Sequence, residues 1–132
     1  MFQNNGKDSL RLAIPSDGEM YDSTLSFLSE CGMAVARRNT RQYTGTLRSL
    51  EQVTVLFQRA ADITAKVEEG TADMGIVGLD RFAESHLDDG EGLIVCDDLG
   101  YSQCELTTAV PQGWIDVTDM GDIADLAVEL RE

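Results

Sequence analysis

Short apolar runs rich in β-branched residues alternate along this chain with stretches of helical spacing, and most changes are marked by a proline, a glycine or an acidic cap. Leu10-Arg11-Leu12-Ala13-Ile14 alternates and stops at Pro15, the pattern of a strand followed by a break. Ser16-Asp17-Gly18-Glu19 fits an S-x-x-E capping box, after which Met20, Leu25, Leu28 and Cys31 recur at helical spacing and Gly32 closes the helix. Shorter strands are expected over residues 33–36 and 42–46, and a strong one at Val53-Thr54-Val55-Leu56-Phe57. Asp62 is placed to cap a helix through Ile63 and Val67 that stops at Gly70. Residues 73–78 read as a buried strand, Asp80 as the cap of a short helix, and residues 93–96 and 105–110 as further strands. After Pro111, a helix over residues 115–130 puts Met120, Ile123, Leu126, Ala127 and Leu130 on one face. Strands alternating with helices at this spacing predict an α/β fold with a mainly parallel sheet.

Composition narrows the function classes. A chain of 132 residues that is 42% hydrophobic and 26% charged has the make-up of a soluble folded domain. No run approaches the ~20 apolar residues of a membrane span, and the opening residues lack the apolar core of a secretory signal. The net charge of −14 argues against passive electrostatic binding to nucleic acid or to an anionic membrane. That charge is unevenly spread. Residues 1–32 carry a net of −3 and residues 60–132 a net of −15, whereas residues 33–59 carry Arg37, Arg38, Arg41, Arg48 and Arg59 against Glu51 alone, a net of +4. Any single arginine here is explained by pairing with a surplus acid. As a set they point to a local anion site, because the planar guanidinium suits bidentate contact with phosphate or carboxylate.

Cys31, Cys96 and Cys104 have neither the number nor the spacing of a disulfide framework or a zinc site, and read as small apolar core residues in a reducing compartment. His86, the one histidine, lies in the polar stretch Glu84-Ser85-His86-Leu87-Asp88-Asp89 and reads as a solvated loop or helix-end residue. No residue is assigned to a metal. In open parallel sheets ligands gather beyond the C-terminal strand ends, where loops feed helix N-termini. Three junctions have that form here, residues 15–20, 57–63 and 75–80, all rich in Gly, Asp or Arg.

Those junctions carry a resemblance. Phe57-Gln58-Arg59-Ala60-Ala61-Asp62-Ile63, followed by Val67-Glu68-Glu69-Gly70-Thr71-Ala72-Asp73-Met74-Gly75-Ile76-Val77-Gly78-Leu79-Asp80, resembles the ATP phosphoribosyltransferase family pattern R-x-x-D-I, then V-x-x-G-x-x-D-x-G-I-x-G-x-D. The opening L-R-L-A-I-P-S-x-G, the helix ending at Cys31-Gly32, Asn39-Thr40-Arg41 and the block from Leu99 to Pro111 fit the same family in order. The resemblance implies the committed step of histidine biosynthesis, in which ATP and phosphoribosyl pyrophosphate condense to N1-(5-phosphoribosyl)-ATP with release of pyrophosphate. Magnesium is carried on the polyphosphate. It further implies a cytoplasmic homo-oligomer, regulated by histidine through an extra domain or a separate regulatory subunit. The implied fold is a type II periplasmic-binding-protein-like pair of lobes around a cleft.

Carried over by motif, Arg59 and Arg41 are the implied catalytic residues, serving phosphate contact or stabilisation of the departing pyrophosphate. Asp62, Gly75, Gly78 and Asp80, with Ser16 and Gly18, are implied substrate-binding positions. One loop departs from the pattern: the family's K-G-R is Asp17-Gly18-Glu19 here, a double charge reversal that means either a hydroxylic or cationic group at this loop or a rearranged set of anion contacts. The expected organisation is a flexible N-terminus over residues 1–9, an incomplete first lobe over 10–98, and over 99–132 the crossover strand and first helix of a second lobe. The phosphoribosyl-pyrophosphate loop of the family falls beyond these residues, so the chain alone is expected to be inactive. The alternative is a non-catalytic ligand-sensing or regulatory module of the same fold.

Overall fold

The computed structural model describes residues 9–104 and 107–131. In its sheet β1 (Leu10–Pro15) is flanked by β4 (Val53–Gln58) on one side and β5 (Met74–Gly75) on the other, both parallel to it. Beyond β4 lie β3 (Thr44–Leu47) and then β2 (Val35–Ala36), each antiparallel to its neighbour, giving the order β2-β3-β4-β1-β5. Only β3 runs against the others, so the sheet is mixed but mostly parallel in direction.

The pleat of β1 decides how the two faces are filled. Leu12 and Ile14 point to one face, where they meet Val55 and Phe57 of β4 and Leu28 of helix α1 (Gly18–Glu30). Ala13 points to the other face and packs with Ile63 of α2 (Ile63–Glu68) and with Ala72. Helices therefore cover both faces, as a strand–helix–strand crossover requires. Gly32 closes α1 as expected: its N–H bonds to Ser29 O at 3.0 Å while Met33 N–H bonds to Leu28 O at 2.7 Å. Two further α-helices follow among the described residues, α3 (Leu79–Ser85) and α4 (Met120–Glu129).

Several local expectations are corrected. The capping box at Ser16 does not form: Gly18 enters α1 at φ +78, the cap position moves to Asp17, and no side chain bonds there. Asp62 occupies the cap position of α2, but its carboxylate accepts from Arg59 instead of the helix. Asp80 lies inside the first turn of α3, whose cap is Gly78. The strand at residues 73–78 shrinks to two exposed residues at the sheet edge. Residues 93–96 form no strand, and neither do residues 107–110, because β propensity yields a strand only where a partner offers a ladder. Residues 1–8, 105 and 106 lie outside the described residues. The last helix begins at Met120 rather than 115, set by a true capping box between Asp119 and Asp122. All three cysteines are exposed, Cys31 because it sits past the last buried turn of α1, Cys96 and Cys104 because their segments are irregular.

Two long-range contacts pin the ends of this unit. Asp73 ties β5 to β1, accepting from Arg11 N at 2.8 Å and from its guanidinium at 3.2 Å, while Arg11 Nη2 also reaches Gly70 O. Tyr101 returns to α1, where its hydroxyl meets Thr24 Oγ1 at 2.9 Å and its ring lies beside Phe27. Burial raises the Tyr101 pKa, opposed by that hydrogen bond. The Asp73 carboxyl is held below its ordinary pKa, first by the Arg11 side-chain hydrogen bond and against the effect of burial. A depressed carboxyl stabilises the fold above the unfolded value near ~3.9 and loses that contribution as pH falls through the folded value. Asp73→Asn is therefore expected to unfold at lower urea than the parent at pH 7, with the gap closing below about pH 4. An equal gap at pH 7 and pH 3 would contradict the pairing.

Candidate functional site

The parallel register places three C-terminal strand ends together. Pro15 pairs with Gln58, Ala13 with Gly75, and Ser16 N–H bonds to Gln58 O at 2.8 Å. The three junctions singled out in the sequence thus emerge along one edge: Ser16 and Gly18 after β1, Arg59 and Asp62 after β4, Gly78 and Asp80 after β5. The β2–β3 loop joins them, since β2 ends and β3 begins at this same edge; Phe57 N–H bonds to Tyr43 O at 2.8 Å. Arg41 sits on that loop. Four of the five clustered arginines, Arg37, Arg38, Arg41 and Arg59, therefore reach one edge, and Arg48 alone goes to the opposite end, where its N–H bonds to Ala34 O. From β3 to β5 the edge crosses three strand spacings, roughly 14 Å.

The cations are unequally engaged. Arg59 is 80% exposed in its side chain and uses only Nε, on Asp62 Oδ2 at 3.0 Å. Its two terminal amino groups make no hydrogen bond among the described residues. The Arg41 side chain likewise has no partner among the described residues, while its backbone N–H is held by Asn39 Oδ1 at 2.9 Å. Pairing with surplus acids accounts for Arg59 in part, but Arg37, Arg38 and Arg41 have no ion pair among the described residues. Acids share the edge: Asp17 and Glu19 are exposed beside β1, and Asp80 folds back over Gly78, where a Cβ would lie 2.5 Å from its Oδ1. A Cβ on Gly75 would point at α2 and stand 2.6 Å from Ile63 Cγ2, so its missing side chain serves the packing of α2 on β5.

This edge can hold an extended polyanion by forks of N–H donors without a covalent nucleophile. A groove of about 480 Å³ lies elsewhere, between α1 and β2, lined by Leu25, Ser26, Ser29, Glu30, Val35 and Arg48. We place the site at the arginine edge because the convergent donors are there. The role of Arg37 was invisible in the sequence, since its partners are carbonyls and a ring brought near by the β2–β3 turn. Its guanidinium lies 3.9 Å from the centre of the Phe57 ring and donates to Gln42 O and Thr40 O.

Similarity to known proteins agrees with the motif reading. The sequence profile of the family described as HisG, ATP phosphoribosyltransferase, matches residues 59–130, more than half of the chain. The ATP phosphoribosyltransferase of Nitrobacter winogradskyi is 34% identical over 124 residues, covering 93% of this chain and 38% of that protein. That of Bradyrhizobium diazoefficiens is 33% identical over 122 residues, covering 92% and 38%. The chain thus spans 38% of the length of these relatives. Among solved structures, the ATP phosphoribosyl transferase (HisG:HisZ) complex from Thermotoga maritima aligns at a TM-score of 0.46 and 24% identity, over 58% of this chain and 35% of that one. By its profile match and its ordered motifs, this chain belongs to the ATP phosphoribosyltransferase family.

Proposed function

We propose that the chain is the N-terminal part of an ATP phosphoribosyltransferase and that its arginine edge holds polyphosphate during the first step of histidine biosynthesis. In that reaction N1 of the adenine ring of ATP attacks the anomeric carbon of phosphoribosyl pyrophosphate. The carbon–oxygen bond to pyrophosphate breaks, and the leaving group takes the electron pair. Arg59 and Arg41 act as donors to the charge that develops on it, and Asp62 orients Arg59 through its Nε. Ser16, Gly18, Gly75, Gly78 and Asp80 shape the floor of the same edge. Magnesium enters as part of the polyphosphate substrates, which suits an ion that keeps much of its water shell.

The single observation that carries this reading is the convergence of Arg37, Arg38, Arg41 and Arg59 at the strand ends of a chain whose net charge is −14. The whole enzyme is read as a cytoplasmic homo-oligomer of two periplasmic-binding-protein-like lobes, residues 10–98 forming part of the first and 99–132 opening the second, with regulation by a separate subunit as one arrangement. A single lobe leaves bound ligand open to water, so the isolated chain is expected to bind without turning over.

Titrating magnesium pyrophosphate into the 132-residue chain tests this. Saturable binding is expected, weakened about 10-fold or more by Arg59→Gln and by Arg41→Gln, as the loss of a charged hydrogen-bond donor implies. No binding by the parent chain, or full binding by both variants, would remove the reading. The exposed Asp17 and Glu19 favour one second reading, a non-catalytic sensor for a small amine. Tight amine binding with no response to pyrophosphate would establish it.

A further inference from the structure

We infer that Arg37 is a positioning residue: its guanidinium clamps the β2–β3 loop into the shape that presents Arg41 at the polyphosphate edge, an inference that rests on the function proposed above. Each of the three nitrogens of this half-buried guanidinium donates one hydrogen bond inside the protein. Nε donates to Gln42 O at 2.9 Å, Nη2 to Thr40 O at 2.8 Å and Nη1 to the Tyr21 hydroxyl at 3.2 Å. The two carbonyls flank residue 41, so the fork closes the loop around it. The plane of the group rests on Phe57, 3.9 Å from the ring centre, with the Tyr21 ring 5.5 Å away and set edge-on to Phe57. Phe57 itself is 1% exposed and belongs to β4, the strand that leads into Arg59. One side chain therefore couples the loop carrying Arg41 to the strand carrying Arg59.

Arg37 has no carboxylate partner among the described residues, although the chain has 24 acids. Its charge is left unneutralised beside the edge, while its hydrogen bonds hold only neutral acceptors. Lysine keeps the charge but offers a point donor, which cannot span two carbonyls and lie flat on a ring. Arg37→Lys therefore separates positioning from bulk electrostatics.

In the 132-residue chain, Arg37→Lys is expected to weaken magnesium pyrophosphate binding about 10-fold and to speed amide exchange over residues 38–43 by a similar factor. Arg48→Lys, at the opposite end, serves as the control and should change neither. The unmutated chain supplies a measurement free of any folding defect: the Arg37 Nε–H resonance should exchange more slowly than that of Arg41. Equal exchange at those two groups, or parent-like affinity in Arg37→Lys while Arg41→Gln has lost binding, would overturn the clamp. Absence of pyrophosphate binding in the parent chain would instead remove the functional reading, and the clamp's purpose with it.

Discussion

Phe57→Ala should lower the stability of this chain by about 3–5 kcal/mol, the range for truncating a large aromatic core side chain. Phe57 is 1% exposed at the C-terminal end of β4 and packs in the cluster of Leu12, Ile14, Leu28, Leu47 and Val55. Its cavity cannot collapse easily, because β4 is held on both sides, by β1 over six register pairs and by β3 over three. Its ring is also the surface on which Arg37 lies. Truncation should therefore loosen residues 38–43 along with the core. A loss of that size is a large fraction of the 5–15 kcal/mol typical of a whole domain. Urea unfolding reads it directly, and a loss under about 1 kcal/mol would show that Phe57 does not occupy the core as described.

On the other face, Ile63→Ala should cost about 2–5 kcal/mol, and its coupling to Gly75 gives a sharper test than the loss alone. Ile63 is fully buried, and its Cγ2 lies where a Cβ on Gly75 would come within 2.6 Å; Val67 Cγ2 would stand at 3.3 Å. Gly75→Ala alone forces that contact and should destabilise by about 1–3 kcal/mol. Together the two changes interfere: the cavity left at residue 63 accepts the new methyl at residue 75. The double variant should be less destabilised than the sum of the single ones by about 1 kcal/mol or more, as for groups sharing one cavity. Strict additivity would mean that α2 does not sit on β5 as the structure has it.

Strands β1 and β4 are where the sequence is most legible. The alternating segment Leu10-Arg11-Leu12-Ala13-Ile14 and the β-branched run at Val53 to Phe57 announce paired strands, and both form as expected. The stop at Gly32 is local chemistry and needs nothing distant. Segments whose structure depends on a distant partner are not legible in this way. Leu93, Ile94 and Val95 have the composition of a strand, yet they remain irregular and largely exposed, because no ladder forms on them among the described residues. Caps failed for a related reason. Ser16, Asp62 and Asp80 are the right residue types near helix starts, but a positive φ at Gly18, an ion pair at Arg59 and a two-residue shift of the cap to Gly78 decided otherwise.

The candidate site divides in the same way. The sequence by itself determined the α/β class, the three loop junctions and the excess of arginine in residues 33–59 of an acidic chain, because propensity, punctuation and charge are properties of neighbours in the chain. It could not say that Arg41, on the antiparallel β2–β3 turn, faces the same edge as Arg59, nor that Arg48 does not. That followed from strand direction, which only pairing decides: β2 and β4 run with β1, and β3 runs against them. Nor could it mark Arg37 as different from Arg38. A guanidinium becomes a clamp only when two carbonyls of its own loop and an aromatic ring from another strand converge on it, and that convergence is a product of tertiary folding.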